Sequence, residues 1–107
     1  EALSGLRGIG VPPRDPHIIH PFHLYVIQAD RRDALKARLL SHGVEAKIHY
    51  PIPLHRQPAL IHRYPEMQNL SLPNVERQAA RILSLPIHQH LTDKQLLYVA
   101  QTIKDFV

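Results

Sequence analysis

The sequence lacks cysteine and tryptophan altogether, and its only aromatic residues are four tyrosines and two phenylalanines. Without cysteine the chain can form neither disulfide bonds nor thiolate metal sites, which fits a reducing compartment. Long apolar runs are also missing, so no stretch is suited to cross a membrane as a helix. The opening stretch EALSGLRGIGVPP lacks the apolar core of a signal peptide. We therefore predict a soluble, cytoplasmic protein with no membrane partner.

The chain also lacks a long run of charged residues of one sign. The 13 lysines and arginines exceed the 9 aspartates and glutamates and give a net charge of +4. Their signs alternate along the chain, however, as in Arg31–Arg32–Asp33 and Glu45–Ala46–Lys47. Because the few aromatic residues do not interleave with the arginines, this pattern indicates solvated faces and not a nucleic-acid surface. We predict no nucleic-acid partner.

Motifs for self-contained catalysis are absent too. No Gly-x-Ser-x-Gly turn presents a nucleophilic serine, and there is no cysteine to replace it. The RGIG stretch at residues 7–10 lacks both the lysine and the preceding strand of a phosphate-binding loop. The sequence therefore predicts no catalytic residue within this chain.

Proline and histidine, in contrast, are abundant, with ten and nine among 107 residues. Residues 1–21 carry three of the four glycines and four of the prolines with little periodicity, so we predict an irregular lead-in segment there. Residues 22–107 show regular apolar patterns and are long enough for one domain with a modest core.

The apolar patterns predict an α+β fold in which helices cover a small sheet. FHLYVIQ and the alternating VEAKIH indicate strands near 22–28 and 44–49, and a short edge strand is predicted near 84–86. Helices are predicted near 31–42, 74–83 and 93–106; Asp30 and Thr92 are the expected capping residues, and Gly43 ends the first helix. The expected core residues are Leu35, Leu39, Ile48, Ile82, Leu96, Ala100 and Ile103.

Two groups of closely spaced histidines raise the question of a metal site, because imidazole binds zinc, copper and nickel well. They are His17, His20, His23, His88 and His90. Proline follows His20, so no helix can align the first group, and in an extended chain His20 points away from its two neighbours. The second group supplies only two histidines, and without cysteine a tetrahedral site would need further ligands from distant segments. We predict no bound metal.

The stretch HYPIPLH, residues 49–55, is the strongest candidate site. Its two prolines fix the backbone φ angle and remove two donors, so we expect a stiff, extended loop beyond the end of a strand. Such a loop can hold Tyr50 and His55 ready to bind with little loss of entropy. It can equally be a rigid crossover whose aromatic residues cover the sheet edge, and the residues alone do not decide between these interpretations.

The order of the motifs resembles that of one enzyme family. HLYVIQADRRDALKARLLSHGVEAKIHYPIPLHRQPA is followed by an A-x-x-x-LSLPIH segment and then by LTDKQLLYVAQTIKDF. From about residue 22 to the last residue, the chain resembles the C-terminal small domain of the DegT/StrS-type sugar aminotransferases. These are pyridoxal-phosphate enzymes with the aspartate aminotransferase fold. The resemblance implies that the predicted strands at 22–28 and 44–49 are antiparallel neighbours in a mainly antiparallel sheet.

The resemblance also implies that residues 22–107 form one wall of a substrate cleft and are not catalytic alone. In such enzymes the lysine that binds the cofactor and most of the phosphate-binding groups lie in the large domain. The chain has four lysines, Lys36, Lys47, Lys94 and Lys104. None of them lies in a sequence context that matches the cofactor-binding lysine of the family. Pyridoxal phosphate is thus expected in the full-length enzyme, with none bound to this chain alone. The large domain is the expected partner, within a homodimer.

By the same resemblance, the HYPIPLH stretch lies near the cleft entrance. His49, Tyr50, His55 and Arg56 would then offer hydrogen bonds or charge to a nucleotide-sugar substrate. The alternative is a non-enzymatic interaction or regulatory module derived from such a domain, which binds a partner protein through an exposed face.

Overall fold

The sheet is built around YVIQA, a stretch whose β-branched and aromatic residues favour an extended backbone. The computed structural model describes residues 2–107 and contains three strands, β1 (Ile9–Gly10), β2 (Tyr25–Ala29) and β3 (Ile82–Leu85). Four α-helices accompany them: α1 (Arg32–Ser41), α2 (Pro58–Arg63), α3 (Pro73–Arg81) and α4 (Asp93–Lys104). Two short 3₁₀ helices span Leu54–Arg56 and Pro65–Asn69.

All strand pairings are antiparallel, in the order β1-β2-β3. The register between β2 and β3 places Val26 opposite Ser84 and Ile27 opposite Leu83. Ile27 and Leu83 belong to the buried cluster that includes residues of α1 and α4 and therefore point to the side of these helices, whereas Val26 and Ser84 point to the other side. The predicted α+β fold with a small antiparallel sheet is confirmed.

The predicted pairing of residues 22–28 with residues 44–49 is wrong. In the second segment only Lys47 forms a bridge, and its partner is Ser84 on β3. Backbone hydrogen bonds join the two residues in both directions, with N···O distances of 3.1 and 2.7 Å. Strand β3 therefore lies between β2 and this segment. The alternation of Val44 and Ala46 correctly showed which face is buried, but a period of two carries no information on which strand is the neighbour.

One of the two predicted helix caps is correct. Thr92 and Gln95 form the capping box of α4, with the Gln95 N–H donating to Thr92 Oγ1 at 3.3 Å. Asp30 does not cap α1, which begins after Arg31 without any side-chain cap. Its carboxylate instead pairs with Arg81 on α3, at 2.7 Å from Oδ1 to Nη2. A long-range ion pair has replaced the local hydrogen bond that the sequence pattern favours.

The first helix ends where predicted. Gly43 follows the C-cap residue His42 and has a φ of 72°, a left-handed conformation that glycine adopts without strain. The Val44 N–H then donates to the Leu39 carbonyl at 2.9 Å, which turns the chain back toward the sheet.

The core lies between one face of the sheet and helices α1 and α4. Leu35, Leu39 and Ile103 are fully buried and Ala100 nearly so, as predicted, while Ile48 and Ile82 are only partly buried. Leu96 was expected in the core but is 48% exposed. It lies one turn before Ala100 and borders an open groove beside Leu85 and Ile87. The helical period gives the face of a helix correctly, but not how far the sheet extends beneath it.

The lead-in segment is folded onto this core. Leu3 is 8% exposed and belongs to the buried cluster, against which Leu6, Ile9 and Val11 also pack. Strand β1 within it pairs with β2, a role that its glycine and proline content did not indicate. Across residues 2–107, no helix combines the length and the apolar character needed to span a bilayer.

Candidate functional site

Residues 49–56, which we call the histidine–proline loop, leave the sheet beside β3. The first contact of the loop is made by His49, whose Nδ1 lies 2.9 Å from Ser84 Oγ. Ser84 is 5% exposed and is held in β3 by its pairing with Val26 and by its bridge to Lys47. The start of the loop is therefore held against a buried residue of the sheet.

The far end of the loop is fixed by a carboxylate on α3. His55 is 5% exposed, and its Nε2 lies 2.9 Å from Glu76 Oε1. Arg56 Nη2 donates to the same oxygen at 3.0 Å, and Arg56 Nη1 donates to the Gln68 carbonyl at 2.8 Å. Because a carboxylate can only accept, His55 Nε2 carries the proton in this contact. Glu76 thus joins the loop to the first turn of α3.

These contacts control the ionisation of Glu76. Its hydrogen bond with His55 is the largest influence, followed by those from Arg56 and from the Leu72 N–H, and together they lower its pKa from 4.5 to about 2. The carboxylate is therefore ionised at neutral pH, when it accepts these hydrogen bonds. About a third of its side chain remains exposed, so water partly screens the interaction.

Between its two anchors the loop is exposed. Tyr50 is 72% exposed, Leu54 74% and Ile52 44%. The backbone bends at residues 51–52 and, after the extended Pro53, turns into the 3₁₀ helix Leu54–Arg56. The loop is thus fixed as expected, but it is not the continuous extended segment that its prolines suggested. Its apolar and aromatic side chains are presented to the surroundings.

The four candidate binding residues fall into two groups. Tyr50 is exposed, and His49 is half-buried with one ring nitrogen against Ser84. His55 is buried and Arg56 is 37% exposed, and both are engaged with Glu76. Sequence analysis did not find Glu76 or Ser84. Glu76 lies on α3, 20 residues beyond Arg56, so no local signal could have connected them.

The other histidines do not converge. His20 Nδ1 accepts the Phe22 N–H at 2.9 Å and its ring stacks on that of Phe22, while the rings of His88 and His90 lie 6.2 Å apart. Within residues 2–107, no group of three or more histidines and carboxylates is arranged to hold a metal ion. The histidine–proline loop combines hydrogen bonds with an ion pair, through the contacts of His49, His55 and Arg56.

The shifted pKa of Glu76 predicts a specific acid sensitivity. Because its pKa is lower in the folded state, Glu76 contributes stability above pH 4.5, and this contribution is lost as the pH falls toward 2. In urea titrations, we expect the stability difference between the native chain and Glu76→Gln to shrink over this interval. The control is Glu66→Gln, which removes an exposed carboxylate. A native-to-Glu76→Gln difference that is constant from pH 6 to 2 would contradict the prediction.

Comparison with known proteins gives one consistent family. A family model described as the DegT/DnrJ/EryC1/StrS aminotransferase family matches residues 1–104. The chain is 38% identical over 104 residues to the dTDP-3-amino-3,4,6-trideoxy-alpha-D-glucose transaminase of Streptomyces venezuelae, a match covering 97% of this chain and 27% of the relative. It is 41% identical over 88 residues to a pleiotropic regulatory protein of Geobacillus stearothermophilus, covering 81% of this chain and 23% of the relative.

The fold also superposes on that of a solved structure. The crystal structure of S. venezuelae DesV in complex with a ketimine intermediate superposes with a TM-score of 0.87 at 37% identity. This match covers 98% of our chain and 28% of DesV. The chain therefore spans about a quarter of the length of the relatives that it matches.

Proposed function

The chain belongs to the DegT/DnrJ/EryC1/StrS aminotransferase family, and from this membership we propose that it forms the substrate-cleft domain of a nucleotide-sugar aminotransferase. The observation that carries the proposal is the histidine–proline loop, which is anchored at both ends and exposed between them. The Streptomyces relative is named for a dTDP-linked amino sugar, which supports a nucleoside-diphosphate sugar as the substrate class.

The loop offers groups suited to such a substrate. The Tyr50 hydroxyl can donate to a sugar hydroxyl or a phosphate oxygen, and the second ring nitrogen of the half-buried His49 can add another polar contact. Arg56 uses Nη1 and Nη2 in contacts within the chain but keeps further N–H donors and its positive charge for a diphosphate. His55 is buried, so its contribution to binding passes through the loop.

Pyridoxal phosphate, which the family implies, does not fit the residues of this chain. A lysine that binds the cofactor covalently must be neutral near pH 7, which requires desolvation or a neighbouring cation. Lys47, Lys94 and Lys104 are exposed, Lys47 lies beside Glu45, and Lys36 is half-buried on α1. We therefore propose that the cofactor is held by the remainder of a longer protein. We propose that remainder, and a second subunit, as the partners of this domain.

A second candidate function is a non-enzymatic regulatory module. It is favoured by one observation, the 41% identity to a protein named as a pleiotropic regulator. In that case, the exposed Tyr50, Ile52 and Leu54 contact a partner protein and not a sugar nucleotide. The two functions differ in whether transamination depends on the loop.

Removal of the Tyr50 hydroxyl tests the first function. In the longer protein that carries this chain, Tyr50→Phe is expected to raise the KM for the nucleotide sugar on the order of five- to tenfold, with kcat little changed, because one hydrogen bond made equally in ground and transition states is lost. Tyr64→Phe, at a tyrosine that is 43% exposed outside the loop, is the matched control. Equal KM values for both variants contradict the cleft proposal, and a protein without transaminase activity favours the regulatory one.

A further inference from the structure

We infer that Glu76 is the positioning residue of the proposed substrate site, and that His55 acts through Glu76 and not on the substrate. This inference rests on the proposed function, since it assigns a role within the same loop. It concerns the carboxylate on α3 that receives hydrogen bonds from two successive residues of the histidine–proline loop.

The geometry concentrates several donors on one oxygen. Glu76 Oε1 accepts from His55 Nε2 at 2.9 Å, from Arg56 Nη2 at 3.0 Å and, at 3.4 Å, from the Leu72 N–H. The donors come from the 3₁₀ helix of the loop and from the N-cap residue of α3, so the carboxylate fixes these elements to each other. Charge-assisted hydrogen bonds of this kind are shorter and stronger than neutral ones, which favours a single arrangement.

The burial of His55 excludes it from direct recognition. Only 5% of the residue is accessible, and the ring nitrogen that could donate is already bonded to Glu76. A ring in this position holds the loop but offers no free face to a ligand. Tyr50, at 72% exposure, is a polar side chain that the exposed part of the loop presents.

A second anchor completes the arrangement. His49 is held against Ser84 on β3, so the loop is fixed at positions 49 and 55–56 while residues 50–54 lie between. Two prolines within this interval already restrict the backbone. A loop held in this way loses little further conformational freedom when it binds a ligand, and freeing one anchor adds that loss to the binding step.

The effect of Glu76 is local, because it does not belong to the core. The buried cluster consists of apolar residues of the sheet, α1 and α4 together with Leu3, Val44 and Ala46, and Ala79, the buried residue of α3, lies outside it. Glu76 itself is one-third exposed. Its removal is therefore expected to release the loop while the folded core remains, which allows the positioning role to be measured in a folded protein.

A fluorescence experiment measures the anchoring directly. The chain contains no tryptophan, so Tyr50→Trp introduces a single tryptophan at the exposed part of the loop, which can be excited selectively at wavelengths where tyrosine absorbs little. In this background Glu76→Ala is expected to lower the fluorescence anisotropy and to increase quenching by acrylamide. Glu76→Gln retains an oxygen acceptor and is expected to restore part of the anisotropy, and Glu66→Ala is the control. Unchanged anisotropy in Glu76→Ala, with an unchanged circular dichroism spectrum, overturns the inference.

Kinetics in the longer protein test the functional consequence. Glu76→Ala, with Tyr50 intact, is expected to raise the KM for the nucleotide sugar about tenfold, with kcat and the KM for the amino donor unchanged, because the loop must be ordered at binding. Glu76→Gln should recover part of the affinity. A released loop with an unchanged nucleotide-sugar KM overturns the positioning role. A longer protein without any transamination overturns the proposed function itself, and the fluorescence result then decides separately whether Glu76 holds the loop.

Discussion

Leu39→Ala is expected to lower the free energy of unfolding by about 2–4 kcal/mol, as large-to-small substitutions in a well-packed core do. Leu39 is fully buried on α1 and belongs to the cluster formed with Ile27, Leu35, Leu83 and Ile103. Removal of its side chain forfeits the burial of that apolar surface and leaves a cavity that its neighbours fill only in part. In a small domain with a typical stability of about 5–15 kcal/mol, this is a large fraction of the total.

The matched control for this substitution is the next residue in the chain. Leu40 has the same side chain and lies in the same helix but is 65% exposed, so Leu40→Ala should change the stability by less than about 0.5 kcal/mol. Urea unfolding followed by circular dichroism measures both. Comparable destabilisation by the two variants would show that the exposed face of α1 is packed against something, and would contradict the burial pattern described here.

The sequence correctly predicted several local features of the helices. The apolar period placed Leu35 and Leu39 on the buried face of α1, and the Thr92 and Gln95 pattern marked the start of α4. Both signals are local, because a helical face and a capping box involve residues only three or four positions apart. The family resemblance added the antiparallel sheet, which is confirmed, whereas strand–helix–strand patterns by themselves usually favour parallel strands.

The errors have a common physical origin in long-range contacts. Asp30 was expected to cap α1 but pairs with Arg81, which lies 51 positions further along the chain. The segment around Lys47 was expected beside β2 but pairs with Ser84, because the apolar strand β3 occupies the position next to β2. In each case a polar or backbone group bonds to a distant segment of the chain. A periodic pattern within about ten residues contains no information on such a contact.

For the candidate site, too, the sequence predicted the local feature but not the long-range contacts. The prolines of HYPIPLH identified a restrained loop, and the structure anchors it at both ends. The histidines, however, could not be assigned to roles from their spacing. A histidine facing a ligand and a histidine bonded to a carboxylate look the same in sequence, and the partner of His55 in the structure, Glu76, lies on another helix.

Incubated alone with pyridoxal phosphate, the chain is expected to show no saturable labelling of a single lysine and no transamination. The physical reason is preorganisation. Covalent binding at neutral pH needs a lysine that loses its proton readily, which burial or a nearby cation provides. Lys47, Lys94 and Lys104 are exposed, and Lys36 is only half-buried among the solvent-facing residues of α1. The cofactor also needs groups for its phosphate and its ring nitrogen, which the family resemblance places in the large domain.

The measurement is borohydride trapping followed by peptide mapping over a range of cofactor concentrations. Surface lysines react weakly and without saturation, so we expect substoichiometric label distributed over several of the four lysines. The proposed longer protein is the positive control, and its label should reach one equivalent at a residue outside residues 1–107. Lys36→Arg is the informative variant, because Lys36 is the least exposed of the four lysines and Arg keeps the charge but forms no such adduct. Complete labelling of one lysine in the isolated chain, lost in Lys36→Arg and accompanied by turnover of an amino donor, would show that this domain holds the cofactor itself.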